Sequence, residues 1–339
     1  MLNTIWFVLW GLLWAIYFAL DGFDFGLGML LPVLGRSQVE RKVVYQAMGP
    51  FWDGNEVWLI TAGGVTFAAF PSLYATMFSI LYGPLLVILF ALIFRGVAIE
   101  YRWKVASEGW GRFWDWMLVL SSLVAALFFG VAFANLFKGL PFDSRGICQG
   151  CFLGLLNPYG IMGGLTLVAM FCYHGALWLG VRASGELEQR AQAAAKGLWW
   201  AVVVTVVLML FASAFSTKLY ANYLRWPLMW IIPLACAVGI VLSRVWVGKG
   251  AWVRAWWASA VGIVGFVLFG IGGMYPAMLI SSIEPGATLT AFNASSSPLT
   301  LKIMLGVALV MVPIVIIYQA WAYKRLGFKM PPEGLPEGY

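Results

Sequence analysis

Long apolar runs without charge divide this chain, each closed by a few charged residues, a proline or a cluster of small polar residues. The runs cover about residues 3–31, 52–70, 72–94, 116–137, 153–181, 197–217, 226–243, 255–280 and 303–323. A helix needs about 20 apolar residues to cross the hydrocarbon core, and most of these runs are long enough. None alternates with a period of two, which a membrane barrel strand would require. The pattern predicts an all-α polytopic membrane protein with nine transmembrane helices in a single membrane domain spanning 1–339. The run at 153–181 is expected to begin its helix near Asn157-Pro158. The stretch before Leu20 lacks a basic leader and a small-residue cleavage pattern, so it reads as a retained first span. The segment 331–339, PPEGLPEGY, reads as a disordered tail.

Composition agrees: 62% of the 339 residues are hydrophobic and only 10% charged, more apolar surface than a soluble domain can enclose. The net charge of +7 does not indicate a nucleic-acid partner, because the basic residues lie in short groups between the runs. Sixteen of the 21 Lys and Arg fall in the loops after the first, third, fifth and seventh runs and in the tail, with Arg95 counted in the second of these groups. The positive-inside rule places that set in the cytoplasm, the N-terminus in the periplasm and the C-terminus in the cytoplasm.

The chemistry-bearing feature is acidic. Asp53 and Glu56 precede an apolar run of only 14 residues ending at Pro71, so a spanning helix has to draw both carboxylates to the membrane edge or into it. Asp21 and Asp24 repeat the three-residue spacing in the first run, on one helix face. Two antiparallel neighbours thus present four carboxylates to one polar spot, the arrangement of a proton or cation path from the cytoplasm. Helix-end capping competes as a reading for Asp53 and Glu56 but suits Asp21 and Asp24 poorly. Pairing with Arg36, Arg41 and Lys42 is a third reading.

Other residues carry less. His174 is the single histidine. Haem ligation would need a second ligand that no neighbouring turn supplies, so a buried histidine bonded to the next helix is expected. Cys172 and Cys236 sit in apolar runs as packing residues. Cys148 and Cys151 form a lone pair unable to complete a zinc site, and a disulfide suits a loop facing an oxidising compartment. Most of the 19 tryptophans lie near span ends as an interfacial belt; Trp58 lies one turn inside its span. Gly22, Gly26, Gly28, Gly63, Gly64, Gly163 and Gly164 allow close helix approach. Asn293-Ala294-Ser295 is a short sequon match. Nucleotide-binding and hydrolytic motifs are missing.

Six stretches resemble subunit II of the cytochrome bd quinol oxidases: DGFDFGLGML (21–30), GPFWDGNEVWLITAGGVTFAAFPSLYA (49–75), FRGVAIEYR (94–102), GVAFANLFKGLPF (130–142), LLNPYG (155–160) and NASSSPLTL (293–301). The resemblance implies a multi-pass subunit of the bacterial inner membrane, in a complex that oxidises quinol and reduces O2 to water. It implies no metal or haem ligated by this chain, with haem b and haem d held by a larger partner, subunit I, of similar fold. It further implies a small single-helix accessory subunit, membrane lipids around the complex, and a groove able to hold a structural quinone. The matched Asp53 is then a proton-path residue, with Glu56, Asp21 and Asp24 beside it, and the matched Trp58 stands near an O2 entrance. His174, the Cys148/Cys151 pair and the short loop from Lys218 to Arg225 depart from the family pattern. A stand-alone proton-coupled transporter is the alternative that the acidic cluster alone would support, and a purely structural scaffold for a haem subunit is a third.

Overall fold

The computed structural model describes residues 1–148 and 150–333, with only the backbone of Cys151. The first run becomes two helices almost in line, α1 (Leu2–Leu20) and α2 (Gly22–Leu34), jointed at Asp21. A short helix α3 (Gln38–Met48) follows, and then α4 (Trp52–Ala69). The expected third span is two pieces, α5 (Pro71–Ile80) and α6 (Tyr82–Tyr101), broken at Leu81. Next come α7 (Glu108–Lys138), the single turn α8 (Cys151–Gly154), α9 (Pro158–Arg182) and α10 (Gly185–Ser216). The loop at 218–225 is mostly the short helix α11 (Leu219–Arg225). A 3-10 turn at Pro227–Trp230 leads into α12 (Ile231–Gly248), then α13 (Trp252–Met274) and α14 (Pro298–Leu326). Strands β1 (Ala277–Leu279) and β2 (Leu289–Thr290) pair antiparallel between α13 and α14.

Among the described residues, eight helical segments are long and apolar enough to cross a membrane by length and composition: α1 with α2, α6, α7, α9, α10, α12 with its 3-10 turn, α13 and α14. The protein is therefore an all-α polytopic membrane protein. The expected second span, α4, is 18 residues long with Asp53 in its first turn and falls outside that set.

Several boundaries move outward because a helix does not stop where its apolar run stops. Ser37 caps α3 with a full capping box: its hydroxyl accepts from Glu40 N–H, and the Glu40 carboxylate accepts from Ser37 N–H. Asn157 caps α9, accepting from Gly160 N–H at 3.1 Å with Pro158 in the first turn, as the sequence predicts. The stretch GELEQRAQAAAK, too polar for a span, continues α10 toward Gly185 because it is rich in strong helix formers. The expected eighth span ends early, at Met274, two residues before Pro276.

The core is centred on α9, the most enclosed of the spanning helices, while α14 is the least enclosed. Tight crossings need glycine. A Cβ on Gly26 would lie 1.8 Å from the Phe171 carbonyl oxygen, and one on Gly175 would lie 2.6 Å from the Leu27 nitrogen, so α2 and α9 touch backbone to backbone. Gly130 and Gly163 do the same for α7 and α9. Gly63 and Gly64, expected to serve close approach, instead face open space.

Ion pairs staple the loops at the end that carries most of the basic residues. Asp115 accepts from Arg41 at 2.8 Å, from Arg102 at 2.7 Å and from the Tyr45 hydroxyl at 3.1 Å. Glu40 pairs with Arg190, and Lys329 with Glu188. Arg182 binds the carbonyls of Leu326 and Phe328 while Met330 N–H donates to the Arg182 carbonyl. The segment following α14 is thereby docked as far as Met330, which is buried. The expected disordered tail falls mostly outside the described residues, which end at Glu333. At the opposite end Cys148 is disulfide-bonded; the side chain of Cys151, its expected partner, lies outside the described residues.

Candidate functional site: a buried ion cluster beside an apolar groove

The joint between α1 and α2 places Asp21 inside the helical bundle. Thirteen residues at 1.5 Å each put it about 20 Å from the Leu34 end of the pair. Asp21 and Asp24 have no exposed surface. Arg95, which the sequence pattern assigned to a loop, sits within α6 and is also fully buried. It belongs to the site and not to the loop charge. Its Nη1 donates to Asp21 Oδ1 at 2.8 Å and its Nη2 to Asp21 Oδ2 at 2.9 Å, a two-pronged pair. Nη2 also donates to Glu56 Oε1 at 2.6 Å, and the guanidinium lies 4.1 Å from the centre of the Phe25 ring.

Asp24 is held differently. Asn55 Nδ2 donates to Asp24 Oδ2 at 2.8 Å and to the Leu20 carbonyl at 3.1 Å. The Tyr323 hydroxyl of α14 donates to Asn55 Oδ1 at 2.8 Å. Asp24 Oδ1, the Tyr17 hydroxyl and Arg95 Nε are buried without a hydrogen-bond partner among the described residues.

The four expected carboxylates thus separate. Asp21, Asp24 and Glu56 converge around Arg95 and Asn55. Asp53 stands exposed in the first turn of α4, two residues and about 200° around the helix from Asn55. Arg36, Arg41 and Lys42 do not enter the cluster. The sequence reading missed Arg95, Asn55 and Tyr323. The run before Arg95, residues 72–94, is long enough for a span by itself, so the pattern gave no signal that α6 continues past Arg95 to Tyr101.

Trp58, one turn beyond Asn55 and on the same face, is 4% exposed. Its indole N–H donates to Gln319 Oε1 at 2.8 Å, and Gln319 Nε2 returns a bond to the Gly54 carbonyl at 2.7 Å. Trp58 lines a groove of about 810 Å³ between α1, α4, α9, α12, α13 and α14, with Ile231, Trp256, Trp257, Ile316 and Lys324 among its lining residues.

His174 is fully buried and stacked on Trp256 at 5.1 Å. One ring nitrogen, Nδ1, lies 3.1 Å from the Ser259 hydroxyl, and Nε2 lies 3.0 Å from the Ala19 carbonyl. A carbonyl only accepts, so Nε2 carries the proton and Nδ1 accepts from Ser259. With both nitrogens occupied within the protein, His174 does not fit a metal or haem ligand. Among the described residues no group of three His, Cys, Asp or Glu is placed to hold a metal ion.

A helical membrane bundle with an arginine-centred acid cluster beside an apolar groove is the class that fold and site define. Residues 2–326 match the family of cytochrome bd terminal oxidase subunit II, and the chain belongs to that family. It is 37% identical to the cytochrome bd ubiquinol oxidase subunit 2 of Bacillus subtilis, covering 97% of this chain and 98% of that one. It is 35% identical to the cytochrome bd-I ubiquinol oxidase subunit 2 of Escherichia coli, covering 98% and 96%. A chain of the bd oxidase from Geobacillus thermodenitrificans superposes with a TM-score of 0.64 over 96% of this chain and 97% of its own, at 11% identity, a likeness of fold alone. The family is one of respiratory quinol oxidases, and this chain is its multi-pass subunit II.

Proposed function

We propose that this chain is the haem-free subunit II of a bacterial cytochrome bd quinol:O2 oxidoreductase in the inner membrane. It pairs there with a haem-bearing subunit I, which holds haem b and haem d and the catalytic site, and with a small single-helix accessory subunit. In this reading α4 is the second of nine spans, the N-terminus is periplasmic and the C-terminus cytoplasmic. The chain supports proton uptake from the cytoplasm through Asp53, Glu56, Asp21 and Asp24, so that quinol oxidation and O2 reduction generate a proton-motive force. O2 approaches along the apolar groove beside Trp58, which also has the size and lining to hold a structural quinone.

The observation that carries the reading is the burial of Asp21, Asp24 and Arg95 within a membrane bundle, with Glu56 only half-buried at its margin. Intramembrane ionisable groups are costly and mark ion pathways. The half-buried Glu56 gives the cluster a contact with its surroundings, and Asp53 adds a carboxylate at the mouth of α4.

The experiment is purification of the complex from native membranes, first as the parent and then with Asp53→Asn. Co-purification of a larger subunit with b- and d-type absorption bands, together with slowed O2 consumption by an intact Asp53→Asn complex, is expected. A colourless chain purified alone would favour a stand-alone transporter. Normal turnover of the assembled variant would remove Asp53 from the route.

A further inference from the structure

The charges around Arg95 do not balance. Three carboxyls, Asp21, Asp24 and Glu56, gather about one guanidinium, and Asp21, Asp24 and Arg95 have no exposed surface. Full ionisation of all three acids would leave a net charge of −2 in the bundle, which a low-dielectric interior does not support. Geometry decides which acid gives up its charge. Asp21 has both oxygens on the Arg95 fork. Glu56 has the third guanidinium bond and retains 22% of its side-chain surface for hydration. Asp24 has neither: its Oδ2 receives only the neutral amide of Asn55, and its Oδ1 has no donor.

We propose that Asp24 holds an exchangeable proton on Oδ1, with Arg95 as the fixed counter-charge that keeps Asp21 and Glu56 ionised around it. This rests on the reading of the cluster as part of a proton path and names the atom that carries the load. The groups facing Asp24 are Asp21 on its own helix pair, Asn55 from α4, Arg95 from α6 and Tyr323 from α14, with Tyr17 and Glu56 one step further off around Asp21 and Arg95. The helices α7 and α9, packed against α2, bring Ser122 to Gly28 and the Phe171 backbone to Gly26, neither of them charged. The Tyr17 hydroxyl, also fully buried, faces Asp21 and adds a neutral O–H to this spot. Asn55 does not relay a proton, since the lone pair of its amide nitrogen is delocalised into the carbonyl and is not basic; its N–H fixes Oδ2 as the acceptor and leaves Oδ1 as the protonated oxygen. On loading, Asp24 changes from −1 to neutral by forming one O–H bond, with the proton drawn from water at the exposed edge of Glu56. Tyr323 ties this arrangement to α14, so a displacement of α14 frees Asn55 and offers Oδ2 as a second site.

The test uses the intact complex and infrared spectroscopy in H2O and D2O. The carbonyl stretch of a protonated carboxylic acid, shifted by deuteration, is expected at neutral pH, lost in Asp24→Asn, and displaced but present in Asp24→Glu. It is expected unchanged in Asp53→Asn. Thermal unfolding supplies a second reading: Asp24→Asn, which resembles the neutral acid, should leave the melting temperature unchanged, whereas Asp21→Asn, which breaks the two-pronged pair, should lower it. A band that survives Asp24→Asn overturns the proposal, and so does equal destabilisation by the two asparagine variants. Loss of the band with normal turnover upholds the bound proton and removes Asp24 from the uptake route. An unchanged band with slowed turnover does the reverse.

Discussion

Replacing Arg95 with methionine removes the one cation of the cluster while keeping most of the side-chain volume. Asp21 then loses both of its charge-assisted bonds, at 2.8 and 2.9 Å, and Glu56 loses the one at 2.6 Å. Removing one partner of a buried ion pair costs about 3–5 kcal/mol, because the other partner is left charged and undersolvated. The lower part of that range is expected here, since Glu56 is 22% exposed and recovers some hydration. At about 1.4 kcal/mol per tenfold change, the folded-to-unfolded ratio falls by at least two powers of ten. The assay is the yield of assembled complex and its thermal unfolding in detergent, with Arg95→Lys as the variant that keeps a charge but loses the fork. A triple variant, Asp21→Asn with Glu56→Gln and Arg95→Met, removes all three charges together and should recover most of the loss, because the penalty lies in unpaired charge and not in the missing bonds. An Arg95→Met complex that assembles and melts like the parent would refute the reasoning, as would a triple variant no better than the single one.

The remaining predictions follow from individual contacts. Trp58→Phe removes the 2.8 Å bond to Gln319 and should cost about 1 kcal/mol, loosening the poorly enclosed α14, as read by faster amide exchange around residues 316–323. Replacing His174 with glutamine should leave every haem band of the complex unchanged while lowering its melting temperature, because the buried acceptor Ala19 O and donor Ser259 lose matched partners; loss of a haem band would contradict the placement of the ring. Outside the spans, burial alone would raise the Glu40 carboxyl, but the bonds from Arg190 and from the Ser37 and Arg36 N–H groups outweigh it and hold the group below its ordinary value. Its stabilising effect is therefore present above the unfolded-state value and lost as pH falls through the lowered folded value. The melting temperature of Glu40→Gln should accordingly approach that of the parent in acid and lie below it at neutral pH.

How much of this was legible in the sequence differs from element to element. The apolar runs located every large helix, because a membrane helix must satisfy its own backbone and present apolar side chains along its length. They also placed the N-cap at Asn157 and singled out the carboxylates Asp21, Asp24, Asp53 and Glu56. Charge-free runs, however, measure the membrane and not the helix, so the polar extension of α10, the capped helix α3 and the break at Leu81 were invisible to that pattern. They are set by propensity, capping and local packing. Arg95 was misread for the same reason: along the chain a buried arginine and a loop arginine look alike, and only the fold brings Asp21 and Glu56 to it.

The sequence by itself determined that this protein is helical, spans a membrane many times and carries costly carboxylates within its first two apolar runs. Those properties follow from composition and spacing, which act one segment at a time. The tertiary structure alone decided that Asp21 and Glu56 share one arginine, with Asp24 held beside them by Asn55, while Asp53 stands apart. It also decided that Gly26 and Gly175 meet whereas Gly63 and Gly64 face open space, and that His174 has both nitrogens occupied. Each of these depends on which helix faces which and at what height, and that is set by backbone approach at the glycine crossings and by pairing of the buried charges, interactions between residues as far apart as Asp21 and Arg95 or Asn55 and Tyr323.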